Sequence, residues 1–174
     1  MQQRNTGGYF LIAAVIAALT MVVVVIARPD LPDGTDSHAH IQPEESLTGA
    51  ATTVMVGIHT WNPADEHSPW EAMAAVSEHL TGRMAEAAAS RPMPDPTPQA
   101  WDAWARSGDR VIGHAEILGD PGDPDGDTAT VTVEVGQTVM HTGGETTPFR
   151  SHTAAVELEH AEGRWLVENY SYTR

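Results

Sequence analysis

The first pattern along the chain is an unbroken apolar run over residues 9–27, YFLIAAVIAALTMVVVVIA. The run carries no charge, and Thr20 is the one weakly polar residue inside it. As a helix it would rise about 28 Å, which is close to the hydrocarbon thickness of a bilayer. Tyr9 lies at one edge, where membranes favour an aromatic ring with a polar tip. The pattern therefore predicts a transmembrane helix over residues 9–27.

Two other interpretations of this run stay open, a cleaved signal peptide and a buried core helix. The apolar region of a signal peptide is shorter, at about 7–15 residues, and a soluble helix rarely stays uncharged for so long. The flanks carry one arginine each, Arg4 and Arg28, and the free amino terminus adds a charge on the short side. We therefore expect a cytoplasmic tail over residues 1–8, a single-pass plasma-membrane anchor and an extracytoplasmic C-terminal part.

Residues 28–45 read RPDLPDGTDSHAHIQPEE and combine three prolines with several acidic residues. Such a composition does not bury a core, so this stretch is predicted to be a flexible acidic linker. The remaining residues, 46–174, suffice for one domain of ordinary size.

Helical periodicity opens this domain. Over residues 45–61, apolar residues recur at spacings of three and four, at Leu47, Ala50, Val54, Ile58 and Trp61. A second helix is predicted from Pro69 to near Ser90, because Ser68 and Glu71 fit a capping box and Pro69 falls at the first helical position. A short helical turn is expected around Trp101 and Trp104, and Gly108 would end it.

From residue 110 onward the period changes to two. Alternating segments predict strands over residues 111–118, 129–136, 152–160 and 164–172, with turns between them. Helices followed by hairpin-linked strands predict an α+β domain. We expect two helices packed on one face of a curved antiparallel sheet of about four strands.

Composition narrows the function classes. The chain has 24 acidic and 9 basic residues, a net charge of −15, and all its basic residues are arginines. No basic face is visible for phosphate contacts, which excludes a typical nucleic-acid binder. Cysteine is absent, so disulfides, thiolate metal sites and cysteine nucleophiles are excluded as well.

No residue spacing in the domain identifies a catalytic, metal or cofactor site, so we expect none of the three. His141 and His152 could face each other across a hairpin as a pH-sensitive or metal-binding pair, although ordinary packing explains them as well. A buried aspartate beside a tyrosine could abstract a proton. The polar residues on the elements that could form a pocket are Asp102, Asp109, His114, Glu134, Glu168 and Tyr170.

The order of elements resembles a known superfamily. A membrane helix, an acidic linker, two helices and a strand meander are similar to membrane-anchored NTF2-like (cystatin-like α+β) domain proteins. The similar segments are Thr60-Trp61-Asn62-Pro63, Leu80-Thr81-Gly82 and Gly163-Arg164-Trp165-Leu166-Val167. Two groups share this plan, the mammalian-cell-entry-associated membrane proteins of actinobacterial envelopes and the bitopic scaffold of type IV secretion and conjugation systems. A basic set made of arginine alone fits a GC-rich genome, as the first group would suggest.

The resemblance implies a non-catalytic scaffold or accessory subunit of a bacterial envelope transport, secretion or conjugation complex. Its partners would be other envelope proteins, a second copy of the chain, and the membrane through its N-terminal helix, without nucleic acid. The exposed sheet face and Trp70, in the first turn of its helix, are the predicted contact surfaces.

Two alternatives stay open. One is a tethered domain that binds an apolar small molecule or lipid in a pocket between the helices and the sheet. The other, weaker one is a lyase or isomerase. A pocket filled by tryptophan and methionine would remove the site for both, and an open pocket with a buried carboxylate would favour them. The candidate pocket residues are Trp101, Trp104, His114, Trp165 and Tyr170.

Overall fold

The helices precede the strands, as the change of periodicity predicts. The computed structural model describes residues 46–173, which lie within the second of two compact units of the chain, His40–Arg174. The α-helices are α1 (Leu47–His59), α2 (Pro69–Ala75), α3 (Gly82–Ala89) and α4 (Trp101–Ser107), with a 3₁₀ turn at Ser77–His79. The strands β1 (Arg110–Ile117), β2 (Thr128–Met140), β3 (Thr146–Ala161) and β4 (Arg164–Tyr172) form one antiparallel sheet in the order β1-β2-β3-β4. The predicted α+β class and four-stranded sheet are confirmed.

The predicted cytoplasmic tail, membrane helix and linker, residues 1–8, 9–27 and 28–45, lie outside the described residues. Within residues 46–173, none of the helices has the length and apolar character that a membrane crossing requires.

The prediction of one long second helix is wrong. Between α2 and α3, Leu80 is extended and forms a parallel bridge with Val167 of β4. The amide of Thr81 donates to the carbonyl oxygen of Val167 at 2.9 Å, and Gly82 begins α3 with a φ of +49°. Backbone groups that a continuous helix would have bonded internally are thus hydrogen-bonded to the edge of β4. This contact is long-range, and local periodicity does not predict it. Within residues 46–173, this break and the separate helix α4 bring the number of α-helices beside the sheet to four, instead of two.

Helix α1 ends two residues before its predicted end because the chain turns to pair with β1. The Trp61 amide donates to the Val111 carbonyl at 2.8 Å, and the Val111 amide donates back to the Trp61 carbonyl at 3.0 Å. At Gly113 the two elements approach so closely that a Cβ atom would lie 2.8 Å from the Val56 carbonyl oxygen. Gly113 therefore allows α1 to lie directly against β1.

The sheet has an inner face, which packs on the helices, and an outer face. The inner face is apolar over most of its length, and its buried residues form a core with α1 and α3: Val131, Val133, Val135, Ala154, Val156, Leu158 and Val167. The outer positions alternate with these and are mostly polar and exposed, as at Thr130, Thr132, Glu134, Ser151 and Glu157. Irregularities at Gln137/Thr138 and Glu157/Leu158 interrupt the registers of β2–β3 and β3–β4.

A second, aromatic cluster lies at the other end of β1 and β2. Trp61, Trp101 and Trp104 pack there with Val111 and Val139, and Phe149 lies against them. The Trp104 and Phe149 rings meet edge to face with their centroids 5.0 Å apart. The predicted turn around Trp101 and Trp104 is the helix α4, and Gly108 ends it with a φ of +74°.

Candidate functional site

An open groove of about 290 Å³ lies between the inner face of the sheet, the end of α1 and the start of α2. Its apolar wall is largely aromatic and is formed by Ile58, Trp61, Pro69, Trp70, Met73 and Tyr170. Its polar lining consists of His59, Asp95, Gln137, Arg150, His152 and Tyr172. Concave, mainly apolar sites with a few polar groups are typical of ligand binding.

The polar lining on the sheet occupies inner-face positions. Gln137 and Arg150 are register partners on β2 and β3, and His152 pairs with Val135, one of the buried core residues. Gln137 is buried, and its side-chain amide donates to the His59 carbonyl oxygen at 2.8 Å. The same alternation that supplies the core further along the sheet thus supplies the polar floor of the groove.

His59 is a buried imidazole with both ring nitrogens bonded. Nδ1 lies 2.7 Å from the Met55 carbonyl oxygen, which can only accept, so Nδ1 carries the proton. Nε2 of the neutral ring then accepts from the Tyr172 hydroxyl at 2.9 Å. Burial lowers the pKa of His59, opposed by the bond to Met55 and reinforced by nearby His152. Both nitrogens of this ring are therefore occupied within the protein.

Two tyrosines extend this network along the groove wall. The Tyr170 and Tyr172 rings lie edge to face with their centroids 5.5 Å apart. Burial raises the pKa of Tyr170, and the charge and hydrogen bond of Tyr172 raise it further. Tyr170 is accordingly a neutral phenol at physiological pH and presents its ring to the groove.

The opposite rim is held by ion pairs. Arg91 donates from Nε to Asp95 at 2.7 Å and from a terminal nitrogen to Glu71 at 3.1 Å. A hydrogen bond from Ser68 lowers the pKa of Asp95, and Arg91 lowers it further. Asp95 is thus an ionised and already paired carboxylate, which makes it a poor proton acceptor.

Helix α2 begins at Pro69, as predicted, although its cap differs from a capping box. The Ser68 hydroxyl accepts from the Trp70 amide at 3.3 Å, and the Glu71 carboxylate accepts from the His67 amide at 3.2 Å. Trp70 is half-buried, and its indole N–H donates to the Ala87 carbonyl oxygen of α3 at 2.9 Å. One side of Trp70 therefore ties α2 to α3, while the residue also lines the groove.

Arg150 differs from Asp95, the paired carboxylate of the lining, in having no ion-pair partner among the described residues. Its side chain is exposed, and its guanidinium lies 4.5 Å from the centroid of the Phe149 ring. Within residues 46–173, the ion pairs involve other residues and leave this guanidinium without a carboxylate.

The predicted site residues are divided among several places. Tyr170 and Trp70 line the groove, whereas Trp101 and Trp104 are 4% and 8% exposed in the aromatic cluster. Trp165 packs against His160, with the ring centroids 5.0 Å apart. His114 lies on the outer face of β1, where it covers Gly136 so closely that a Cβ at 136 would collide with the imidazole.

The carboxylates considered for catalysis, Asp102, Asp109, Glu134 and Glu168, lie away from the groove lining. Asp109 accepts from His141 at 3.1 Å; hydrogen bonds from Ser107 and then from His141 lower its pKa. The suggestion that His141 faces His152 is wrong, because His141 bonds Asp109 and Thr147 while His152 packs on Tyr172. Among residues 46–173, no group of three His, Asp or Glu side chains is placed to hold a metal ion.

Sequence reasoning missed His59, Gln137, Arg150 and Tyr172 as groove residues. For Gln137 and Arg150 the signal was present just beyond the predicted strands 129–136 and 152–160, since both positions continue the inner-face alternation of β2 and β3. Polar residues in phase with a buried face indicate a lined space instead of a core. His59 gave no comparable signal, because helix α1 is apolar on most of its surface.

Comparison with known proteins gives distant matches. No protein-family model matches the chain, and no curated protein is significantly similar to it. Among solved structures, the periplasmic domain of DotI aligns over 78% of this chain and 98% of its own, with 14% identity and a TM-score of 0.47. The intermembrane-space region of the chloroplast protein ARC6 aligns over 72% of this chain and 89% of its own, with 16% identity and a TM-score of 0.35. Both TM-scores lie below 0.5, so neither likeness assigns a function, and the NTF2-like resemblance stays a prediction.

Proposed function

We propose that this chain is a non-catalytic, single-pass membrane scaffold or accessory subunit of a bacterial envelope transport, secretion or conjugation complex. Its N-terminus would be cytoplasmic, and its domain would bind other proteins outside the cytoplasm. The apolar run over residues 9–27 supports the anchor. The single observation that supports binding by the domain is a small apolar patch on the outer face of the sheet.

This patch consists of Ile112 on β1 and Met140 on β2, which are 37% and 38% exposed. Their register partners are Thr138 and Arg110, so the two apolar side chains are diagonal neighbours on the same face. The outer face around them is polar, with exposed Arg110, His114 and Glu116. An apolar centre with a polar rim is the usual composition of a protein–protein interface.

The non-catalytic part of the proposal is supported by two of the titratable groups that line the groove, Asp95 and His59. Asp95 is paired with Arg91, and both nitrogens of His59 are bonded within the protein. A general base needs a free acceptor within reach of a substrate proton, and neither group offers one.

The test is a mild cross-link in native membranes, followed by affinity purification of the full-length chain. We expect stoichiometric recovery of other envelope proteins, lost on Ile112→Lys and retained on Thr130→Lys. Thr130 is an exposed outer-face residue distant from the patch along β2, and it serves as the matched control. Recovery of the chain alone, or equal recovery with both variants, would contradict the proposal.

A second candidate function is the binding of an apolar small molecule or lipid by the tethered domain. The specific observation that favours it is the open groove, whose volume of about 290 Å³ is not filled by Trp101, Trp104 or Trp165. Native mass spectrometry of the full-length chain released from its own membranes tests this candidate. A bound molecule that is lost on Trp70→Leu supports it, and an empty protein opposes it.

A further inference from the structure

The inner face of the sheet carries two kinds of residue along the same two strands. Val133, Val135 and Ala154 are buried in the core, and the next inner positions toward the groove are Gln137 and His152. Arg150 follows on β3 and also lines the groove. Polar groups at inward strand positions destabilise a fold unless water, protein or a ligand meets them. The change therefore marks the stretch of the inner face between the core and the aromatic cluster, and this stretch is the floor of the groove.

The body of a ligand would meet an apolar wall. Trp70 and Tyr170 present aromatic surface, and Ile58 and Met73 complete the wall between α1 and α2. The volume of about 290 Å³ is near the lower end of small-molecule sites, which span roughly 300–1,000 Å³. The groove therefore suits an aryl group or a short branched chain better than a long acyl chain.

The head group of a ligand would meet the polar lining, most of which is already engaged. Gln137 donates to the His59 carbonyl, and the His59 ring bonds Met55 and Tyr172. Asp95 is paired with Arg91. The charged group that remains is Arg150, whose guanidinium has a ring contact and, within residues 46–173, no carboxylate. A guanidinium that lines the groove without a carboxylate partner among the described residues favours an acidic ligand.

We propose that the groove binds a small amphipathic acid, with its apolar body against Trp70 and Tyr170 and its anionic head at Arg150. A guanidinium suits this role because its planar donors bind a carboxylate in a bidentate manner. His152 lies on the same face of β3, close enough to Tyr172 for their ring centroids to be 4.9 Å apart, and borders the head-group position. The inference rests on the second candidate function, since it names the class of molecule that would occupy that groove.

The experiment compares three soluble ligands with one carbon skeleton: 4-phenylbutyrate, 4-phenylbutan-1-ol and 4-phenylbutylamine. The full-length chain is held in nanodiscs of zwitterionic lipid, and dissociation constants are measured by isothermal titration calorimetry. We expect the acid to bind about tenfold more tightly than the alcohol, because one charge-assisted contact of moderate strength gives such a ratio. The amine should bind most weakly, since the groove carboxylate is already paired.

Variants separate the head-group contact from the apolar contact. Arg150→Gln should abolish the preference for the acid and leave the affinity of the alcohol within about twofold, while Arg150→Lys should keep part of the preference. Arg106→Gln, which changes an exposed arginine on α4 outside the groove lining, should change nothing and is the matched control. Trp70→Leu should weaken all three ligands.

The outcomes distinguish this inference from the function on which it rests. Equal binding of the acid and the alcohol, both weakened by Trp70→Leu, would overturn the acidic ligand and keep an apolar one. Binding of none of the three would overturn both. If Arg150→Gln does not fold, the ratio between acid and alcohol in the natural chain and in Arg150→Lys decides the question. In a further titration, anionic lipid is added to the nanodiscs. If it competes with 4-phenylbutyrate, the result supports the same anion site and identifies a membrane lipid as the source of the ligand.

Discussion

Two parts of the inner face, here called the core half and the groove half, are built from the same strands by the same alternation, yet they differ in what covers them. In the core half, Val133, Val156 and Leu158 are at most 1% exposed and pack with α1 and α3. In the groove half, Gln137 and Arg150 border an open space of about 290 Å³. The side chains of both halves point to the same side of the sheet.

The difference shows that alternation along a strand determines which face of the sheet a side chain lies on. It does not determine whether helices cover that side chain. In the core half the free energy of folding comes from apolar burial, which is not specific for a partner. In the groove half the polar residues add little to stability, and their positions matter for recognition. Substitutions in the two halves should therefore affect different measurements.

The largest expected effect is the difference in stability loss between a substitution in the core half and one in the groove half. Leu158→Ala should lower the free energy of unfolding by about 2–5 kcal/mol, because it leaves a cavity under the helices. His152→Ala, six residues earlier on β3 and exposed, should lower it by less than about 1 kcal/mol. Urea denaturation of the full-length chain measures both. Similar losses for the two variants would mean that the halves are not distinct.

The next effect concerns the boundary between the halves. Gly113, the register partner of Gln137, lies where a Cβ would approach the backbone of α1 at Val56 and His59. Gly113→Ala should therefore cost about 1–3 kcal/mol of stability, the range for overpacking. Gly136→Ala is the control, because the atoms in its way belong to the exposed His114 ring, which can rotate. Equal thermal stability of the two variants would contradict the close packing of α1 on β1.

A smaller effect concerns the groove half, where the buried His59 should make the stability of the protein depend on pH. The pKa of His59 lies below its ordinary value of 6.5, so the unfolded chain binds a proton more readily than the folded chain. Stability should fall as pH drops below about 6.5 and level off below the folded-state pKa, with a slope of at most about 1.4 kcal/mol per pH unit from one proton. Above about pH 6.5 both states are neutral and this contribution vanishes.

The measurement is the free energy of unfolding between pH 7 and 5 for the natural chain and for His59→Asn. The variant cannot titrate at this position, so its curve carries the contribution of the remaining groups alone. We expect a shallower dependence in the variant. Parallel curves would show that His59 is as easily protonated in the folded chain as in the unfolded one.

The smallest effect compares the inner face with the outer one. Glu116 and Glu134 are register partners on adjacent strands and are both exposed. Like charges directly opposite each other destabilise a sheet by about 0.2–1 kcal/mol. Glu116→Thr should therefore raise the stability slightly, and the gain should shrink at high salt because screening weakens the repulsion. A gain that is independent of salt would point to strand propensity instead.

Periodicity predicted the four strands and the start of α2, because local sequence determines both. The predicted strands 129–136 and 152–160 are shorter than β2 and β3, which continue to Met140 and begin at Thr146. It did not predict the break at Leu80, which depends on pairing with Val167 of β4. It also placed Trp101 and Trp104 in a pocket, since spacing shows that they share a face and does not show that Phe149 meets them. The groove depends on which inner positions the helices leave uncovered, and that is a tertiary property.

The most direct test of the groove uses the indole signals of the chain's 5 tryptophans in a ¹⁵N spectrum of the full-length protein in nanodiscs. Trp61 and Trp70 line the groove, whereas Trp101, Trp104 and Trp165 do not. On titration with 4-phenylbutyrate, we expect the signals of Trp61 and Trp70 to shift and the other three to stay. Shifts confined to Trp101, Trp104 or Trp165, or no shift at saturating ligand, would contradict the assignment of this groove as the binding site.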